Sequence, residues 1–155
     1  MTHQNILLQI QQKLVKISRE QITLKIEQIL KALGYENHEI SVVIMDNIHI
    51  RELNNLYRGI DSPTNVLSFS MLEGEFSSIS NLLGDLVISA ERAEEESIES
   101  GITFDQRMSQ LLVHGILHLI GYDHEISDED AFEMEKKSLE LIRLIEPDND
   151  ELDFF

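Results

Sequence analysis

Apolar residues recur along the chain at two spacings, and each spacing predicts a different kind of element. Short runs of β-branched and other apolar residues predict strands. The predicted strands are residues 5–10, 39–45, 65–70 and 84–89. Longer segments with apolar residues three or four positions apart predict helices that bury one side. The predicted helices are, to within a turn, residues 19–33, 47–57, 90–100, 104–120 and 128–146.

Residues that favour helix ends flank these segments. Side chains that can accept a hydrogen bond from a first helical turn are Ser18, Asp46, Ser89, Thr103 and Ser127. Glycines that can end a helix are Gly34, Gly101 and Gly121. The interleaving of strands with helices predicts a single α+β domain over residues 1–146, with a mixed sheet of about four strands packed against helices. An acidic C-terminal tail, residues 147–155, follows, and the stretch 72–81 is predicted to be an exposed connection.

Charge and composition narrow the function classes. Twelve basic and 29 acidic residues give a net charge of −17, which disfavours broad electrostatic binding to nucleic acid or anionic membranes. Residues 1–35 differ, because five Lys or Arg against two Glu give them a net charge of +3. The absence of cysteine excludes disulfides, thiolate ligands and cysteine nucleophiles. With no basic leader and no apolar run of the ~20 residues that span a bilayer, we expect a cytoplasmic protein that does not bind membranes.

The segment LLVHGILHLIGYDHE holds the candidate chemistry. His114 and His118 are four residues apart on a predicted helix, so both imidazoles share one face. Gly121 allows the chain to leave the helix in a left-handed conformation, which returns His124 toward the pair. Three neutral imidazoles would hold one zinc ion per chain and leave a fourth position open for water, as catalytic zinc requires. Stability order alone favours copper, so zinc rests on geometry and availability.

Each of these residues also has a purely structural interpretation. A lone His-x-x-x-His pair can share a helix face by chance, and the third histidine with its glycine makes the metal interpretation the stronger one. Asp123 is either a hydrogen-bond acceptor that orients His124 from outside the metal's ligand set or a turn carboxylate. Glu94 to Glu96 are interpreted as a solvated helix face.

The residue that follows the first histidine bears on the class of substrate. Zinc peptidases have His-Glu-x-x-His, in which the glutamate is the general base, whereas this chain has Gly115 there. A metal-bound water has a lowered pKa without such a base, so the pattern favours an electrophile that other groups activate, such as a phosphodiester. Arg58 is a candidate for that activation, since a guanidinium matches a phosphate with two hydrogen bonds. Its alternative is an ordinary surface arginine at a helix end.

Taken together, these residues resemble the bacterial YbeY family of endoribonuclease-type rRNA maturation factors. The family pattern His-x3-His-x2-Gly-x-Asp-His is matched in full from His114 to His124. The stretches LNNLYRGIDSPTNVLSF and LGDLVIS are similar to two further family segments, so the resemblance spans roughly residues 40–125. Two positions depart from it, since the family usually has Asp where this chain has Asn65 and Pro where it has Ser70. Asn cannot act as a base, which puts a catalytic role of position 65 in doubt.

The resemblance implies an α+β fold with a zinc site like that of metallopeptidases. It also implies metal-dependent cleavage of single-stranded RNA, maturation of the 3′ end of small-subunit rRNA, and ribosome quality control. It gives the metal-ligand role to His114, His118 and His124, and a role toward the substrate phosphate, hence a catalytic one, to Arg58. The implied partners are single-stranded RNA, including rRNA, and the small ribosomal subunit or its proteins, with no binding to DNA.

Two other functions stay open at this point. The chain could be a non-enzymatic ribosome assembly factor with structural zinc, since a net charge of −17 suits docking to basic ribosomal proteins. It could also be a zinc peptidase, against which Gly115 argues. Cleavage of RNA or of peptides, with and without chelator, would discriminate among the three.

Overall fold

Strands and helices follow one another irregularly along the protein. The computed structural model describes residues 5–72, 81–123 and 125–146. Within those ranges the strands are β1 Ile6–Gln11, β2 Glu39–Met45, β3 Val66–Ser70 and β4 Leu82–Ser89. The helices are α1 Arg19–Leu33, α2 Asn47–Arg58, α3 Ala90–Ser100, α4 Phe104–Leu119 and α5 Asp128–Ile145. This confirms the predicted order of elements.

The strands form one mixed sheet in the order β1-β2-β4-β3. β1, β2 and β4 are parallel, and β3 runs antiparallel to β4. The predicted α+β fold with a four-stranded mixed sheet is therefore confirmed. β4 starts two residues before its predicted start at Gly84, because Leu82 already pairs with Glu39 of β2. The order leaves β3 at an edge of the sheet, which matters for the site.

Local hydrogen bonds fix the helix ends as the sequence predicts. Each of the five predicted capping side chains accepts a hydrogen bond from a backbone N–H in the first turn of its helix. Thr103 and Gln106 complete a reciprocal capping box at the start of α4. Gly34 and Gly101 end α1 and α3 with φ angles of 81° and 73°.

The two faces of the sheet carry cores of different size. The larger core lies between one face and α1, α3, α4 and α5, and includes the fully buried Ile26, Leu86 and Leu112. The smaller core lies under α2 on the opposite face and is built from Met45, Ile50, Leu67 and Val87. The helix that bears the histidines and the helix that bears Arg58 therefore lie on opposite faces of the sheet.

Several predicted features fall outside the described residues. They include the acidic tail 147–155 and residues 73–80 of the predicted connection. Among the helices of the described ranges, none combines the length and the apolar character needed to cross a membrane.

Candidate active site

Two histidines on α4 face the same side of the helix, as their spacing predicts. The ring centroids of His114 and His118 are 4.5 Å apart, and their Nε2 atoms are 3.1 Å apart. Both side chains are partly exposed, although their immediate neighbours in the chain are buried. Two nitrogens bonded to one zinc at about 2.0–2.1 Å with tetrahedral angles lie about 3.3 Å apart. The donor atoms and their separation therefore fit two ligands of one metal ion.

The third predicted ligand, His124, lies outside the described residues. In the ranges that the structure does describe, no group of three or more His, Cys, Asp or Glu converges on a metal position. Asp123 Oδ1 accepts a hydrogen bond of 2.9 Å from the backbone N–H of Glu125. Asp123 thus has the turn role that the sequence left as its alternative, and its hydrogen bond to His124 stays a prediction.

Gly121 ends the histidine helix in the predicted manner. Its φ angle is 107°, a conformation that other residues rarely adopt. The backbone N–H of Tyr122 donates to the carbonyl of Leu117 at 3.0 Å, and that of Gly121 donates to the carbonyl of His118 at 3.1 Å. The chain therefore turns sharply away from α4 directly after the two histidines.

Two serines of β3 tie this edge strand to α4. Ser70 Oγ donates to the carbonyl of Leu119 at 2.8 Å, and Ser68 Oγ donates to the carbonyl of Gly115 at 3.4 Å. Leu119 is the last residue of α4, where carbonyls lack partners within the helix, so the Ser70 hydroxyl satisfies one of them. The side chain of Ser70 therefore joins the end of β3 to the end of α4.

Gly115 lies where α4 approaches β4 most closely. A Cβ atom at this position would overlap Cδ1 of Leu86 and come within 3.1 Å of its Cδ2, and Leu86 is fully buried. A side chain at position 115 would therefore point into the core and not toward the histidines. The packing of α4 on the sheet therefore disfavours a glutamate at position 115.

An open cleft of about 290 Å³ lies beside His118. Its lining residues are Ser68, Ser70, His118, Gly121, Tyr122, Asp123 and Ile126. One wall is the edge strand β3, and the other is the end of α4 with the turn that follows it. The cleft combines an imidazole, two hydroxyls and a carboxylate with one exposed apolar side chain, Ile126, which is 72% exposed.

Arg58 is the last residue of α2, on the other face of the sheet, and it does not line the cleft. Its exposed guanidinium donates to Oδ1 of the buried Asn54 at 3.3 Å. The adjacent Tyr57 packs edge-to-face on Phe69 of β3, with ring centroids 5.1 Å apart. Since Phe69 precedes Ser70, Tyr57 and the cleft lie at the same end of β3, and Arg58 follows Tyr57 in the chain.

The turn after Arg58 is held in place by two neighbouring interactions. Asn54 Nδ2 donates to the carbonyl of Ser62 at 2.9 Å. Arg51 donates to Asp61 at 2.8 and 3.2 Å, and this hydrogen bonding, with the charge of Arg51, lowers the pKa of the Asp61 carboxyl. These interactions fix the backbone after Arg58 against α2, while the guanidinium of Arg58 stays accessible to solvent.

One interpretation from the sequence is wrong. Glu96 does not belong to a solvated helix face, because its side chain is only 17% exposed and forms an ion pair of 3.0 Å with Arg107. Both of its carboxylate oxygens also accept from Nδ2 of Asn65, at 3.1 and 3.2 Å. Glu94 and Glu95 are exposed, as expected.

Sequence reasoning did not anticipate the roles of Ser68, Ser70 and Glu96. The alternation of serine with apolar residues in VLSFS was a usable signal, because it places both serines on one face of a strand. Glu96 offered no comparable signal, since its partners Asn65 and Arg107 are distant in the chain.

An α+β domain with a histidine pair, of which His118 lines an open polar cleft, fits the class of a histidine-based hydrolase. Comparison with known proteins identifies the family. The family model described as Endoribonuclease YbeY matches residues 7–146. The chain therefore belongs to the endoribonuclease YbeY family, which confirms the resemblance and the predicted class of enzyme, a nuclease.

Individual relatives agree with this assignment. An Endoribonuclease YbeY of Geobacter metallireducens is 49% identical over 122 residues, covering 77% of this chain and 81% of that protein. One of Aquifex aeolicus is 47% identical and covers 81% of this chain and 80% of that protein. A solution structure of a Thermotoga maritima protein superimposes with a TM-score of 0.64 at 30% identity, covering 90% of this chain and 89% of that one. The fold and the family thus agree over most of the chain.

Proposed function

We propose that this chain is a zinc-dependent endoribonuclease specific for single-stranded RNA, acting at the 3′ end of small-subunit rRNA and in ribosome quality control. The observation that carries the proposal is the His114–His118 pair, whose Nε2 atoms lie 3.1 Å apart at an open cleft. Because the chain belongs to an endoribonuclease family, RNA cleavage is the reaction in which the pair is proposed to act.

The proposed metal site uses the described pair together with His124, and binds one ion per chain. A zinc ion held there would supply a Lewis acid and a water of lowered pKa. His114 and His118 would each hold it through Nε2, which leaves Nδ1 of each ring for an orienting hydrogen bond. Asp123 is proposed to orient His124 by accepting a hydrogen bond from its ring.

The position of Arg58 supports a role toward the RNA backbone. Tyr57, the chain neighbour of Arg58, packs on Phe69 of the edge strand β3, and the next residue, Ser70, lines the cleft with His118. An RNA strand that crosses this edge would contact both sides. A guanidinium there can bind a phosphate with two hydrogen bonds and stabilise its developing charge.

The chain offers no side chain at position 115 to act as a proton shuttle, because that position faces Leu86. Peptide cleavage requires such a shuttle, since an amide nitrogen is a poor leaving group unless it is protonated. RNA makes a smaller demand on the protein, because its own 2′-hydroxyl can serve as nucleophile. This difference favours RNA over peptide and over DNA as substrate.

The test compares a single-stranded RNA with a DNA of the same sequence. We expect chelator-sensitive cleavage of the RNA, little or no cleavage of the DNA, and products that end in a 2′,3′-cyclic phosphate. Equal cleavage of the DNA would show instead that water is the nucleophile. Absence of RNA cleavage by metal-loaded protein would overturn the proposed function.

Replacement of Arg58 by lysine tests its proposed role. Arg58→Lys should fold and bind metal normally but cleave RNA about tenfold more slowly, because lysine keeps the charge and loses the planar pair of donors. Arg143→Lys, an exposed arginine in the last turn of α5, is the matched control and should keep the normal rate. Equal rates for both variants would remove Arg58 from the mechanism.

The acidic character of the chain supports a second contact on the ribosome. With a net charge of −17, the surface suits basic proteins of the small subunit better than bare RNA. We propose that such proteins bring the chain to its rRNA substrate.

A further inference from the structure

Four side chains, which we call the Glu96 cluster, join α3, α4 and the residue before β3. They are Asn65, Glu96, Arg107 and Gln110. Asn65 Nδ2 donates to both oxygens of Glu96, at 3.1 and 3.2 Å. Glu96 Oε1 also accepts from Nε and Nη2 of Arg107 at 3.0 Å, and Arg107 Nη1 donates to Gln110 Oε1 at 2.6 Å.

The cluster is largely shielded from water. The side chains of Glu96 and Arg107 are each 17% exposed, and Gln110 is 1% exposed. Salt screens such groups much less than surface charges, and removing one partner of a pair like this leaves an uncompensated charge. The geometry of the cluster therefore constrains the elements that it joins.

Of the elements that the cluster joins, β3 and α4 form walls of the cleft. Gln110 lies one helical turn before His114 on the same side of α4. Asn65 directly precedes β3, and its carbonyl accepts from the backbone N–H of Ser89 at 3.0 Å. The cluster aligns the start of β3 with the start of α4, and the hydrogen bonds of Ser68 and Ser70 continue that alignment to the cleft.

The one carboxylate of these four side chains lies at position 96, and its Oε2 also lies 3.5 Å from Nε of Arg92. Asn65 can donate to Glu96 only through an amide N–H, which aspartate does not have. An Asp at position 65 would place a second carboxylate about 3 Å from the first, where like charges oppose each other. The amide of Asn65 and the carboxylate of Glu96 are therefore complementary.

We propose that Glu96 is a positioning residue for the histidine pair, and that the amide of position 65 and the carboxylate of position 96 can exchange places without loss of that role. The carboxylate of Glu96 holds Arg107 and Asn65 together, and this contact sets how β3 lies against the histidine-bearing side of α4. The effect on RNA cleavage rests on the proposed function, whereas the effect on the histidine rings does not.

The experiment is a double-mutant cycle of Asn65→Asp, Glu96→Gln and the double variant. For each protein the measurements are kcat and KM for a single-stranded RNA, the ring ¹H–¹⁵N signals of His114 and His118 without metal, and the melting temperature. Glu94→Gln, an exposed neighbour on α3, is the matched control.

Each single substitution should lower kcat about tenfold with KM nearly unchanged, and should move the signals of both histidines. The double variant restores one amide and one carboxylate, so its kcat should return to within about threefold of the original, and its histidine signals should return with it. Glu94→Gln should change none of these quantities.

A double variant no better than the poorer single variant would overturn the exchange. Unmoved histidine signals in folded single variants would overturn the positioning role. If the original chain does not cleave RNA, the proposed function fails, and the histidine signals still decide the inference. If Asn65→Asp does not fold, the comparison of Glu96→Gln with the double variant decides it in the same way.

Discussion

Replacement of His118 by alanine should abolish metal binding. The substitution removes one of the two Nε2 atoms that lie 3.1 Å apart and leaves two of the three proposed ligands, too few for tight binding. We expect the affinity for zinc to fall by more than about 100-fold, since even the loss of an outer-shell partner of a ligand costs 10–100-fold. Elemental analysis after dialysis measures this directly, and RNA cleavage should fall to background with it.

The control for this substitution is another exposed histidine. The side chain of His49 on α2 is 60% exposed and pairs with Asp46 at 2.6 Å, which raises the pKa of His49. His49→Ala should keep one zinc per chain and the full rate. Full zinc occupancy in His118→Ala would refute the assignment of this histidine as a ligand.

The second large effect concerns Gly115. Gly115→Glu should destabilise the fold by about 4 kcal/mol or more, because the new side chain would overlap the buried Leu86 and bring a charge into the core. Chemical denaturation measures the free energy of unfolding. Installing the glutamate of zinc peptidases should therefore yield an unstable protein and no peptidase.

Gly115→Ala separates overpacking from charge. Alanine gains about 1 kcal/mol of helix propensity over glycine, while its Cβ still overlaps Leu86. We expect a net loss of roughly 1 kcal/mol, much smaller than for glutamate. If Gly115→Glu is as stable as the original protein, position 115 does not face the core in solution.

The sequence predicts features whose cause is local. The caps at Ser18, Asp46, Ser89 and Ser127 depend on a hydrogen bond between residues three apart, so the pattern of residues is enough to find them. The shared face of His114 and His118 follows from helix geometry in the same way. The turn at Gly121 depends on a backbone conformation that glycine favours.

Features that depend on packing between distant segments could not be predicted. The direction of position 115 depends on how closely α4 approaches Leu86, which is 29 positions away in the numbering. The location of Arg58 across β3 from His118 depends on α2 lying on the opposite face of the sheet. The burial of Glu96 depends on Asn65 and Arg107, which lie on different elements.

The position of α2 narrows the role proposed for Arg58 toward the RNA. A phosphate-binding arginine within the cleft would contact the same phosphate as the proposed metal. Arg58 instead lies on the other side of β3, so the bound RNA is expected to cross the sheet edge. The exposed ring of Tyr57, 62% exposed, would lie along that path.

RNA cleavage by this endoribonuclease is proposed to require a metal held by the histidines of α4. The most direct measurement follows cleavage of a single-stranded RNA and of a peptide library by the purified chain, first after treatment with chelator and then after zinc is restored. RNA cleavage should disappear with chelator, return with zinc and stay absent in His118→Ala, while the peptides stay intact. Robust chelator-sensitive peptide hydrolysis, or undiminished RNA cleavage by the metal-free chain, would refute this role of the histidines.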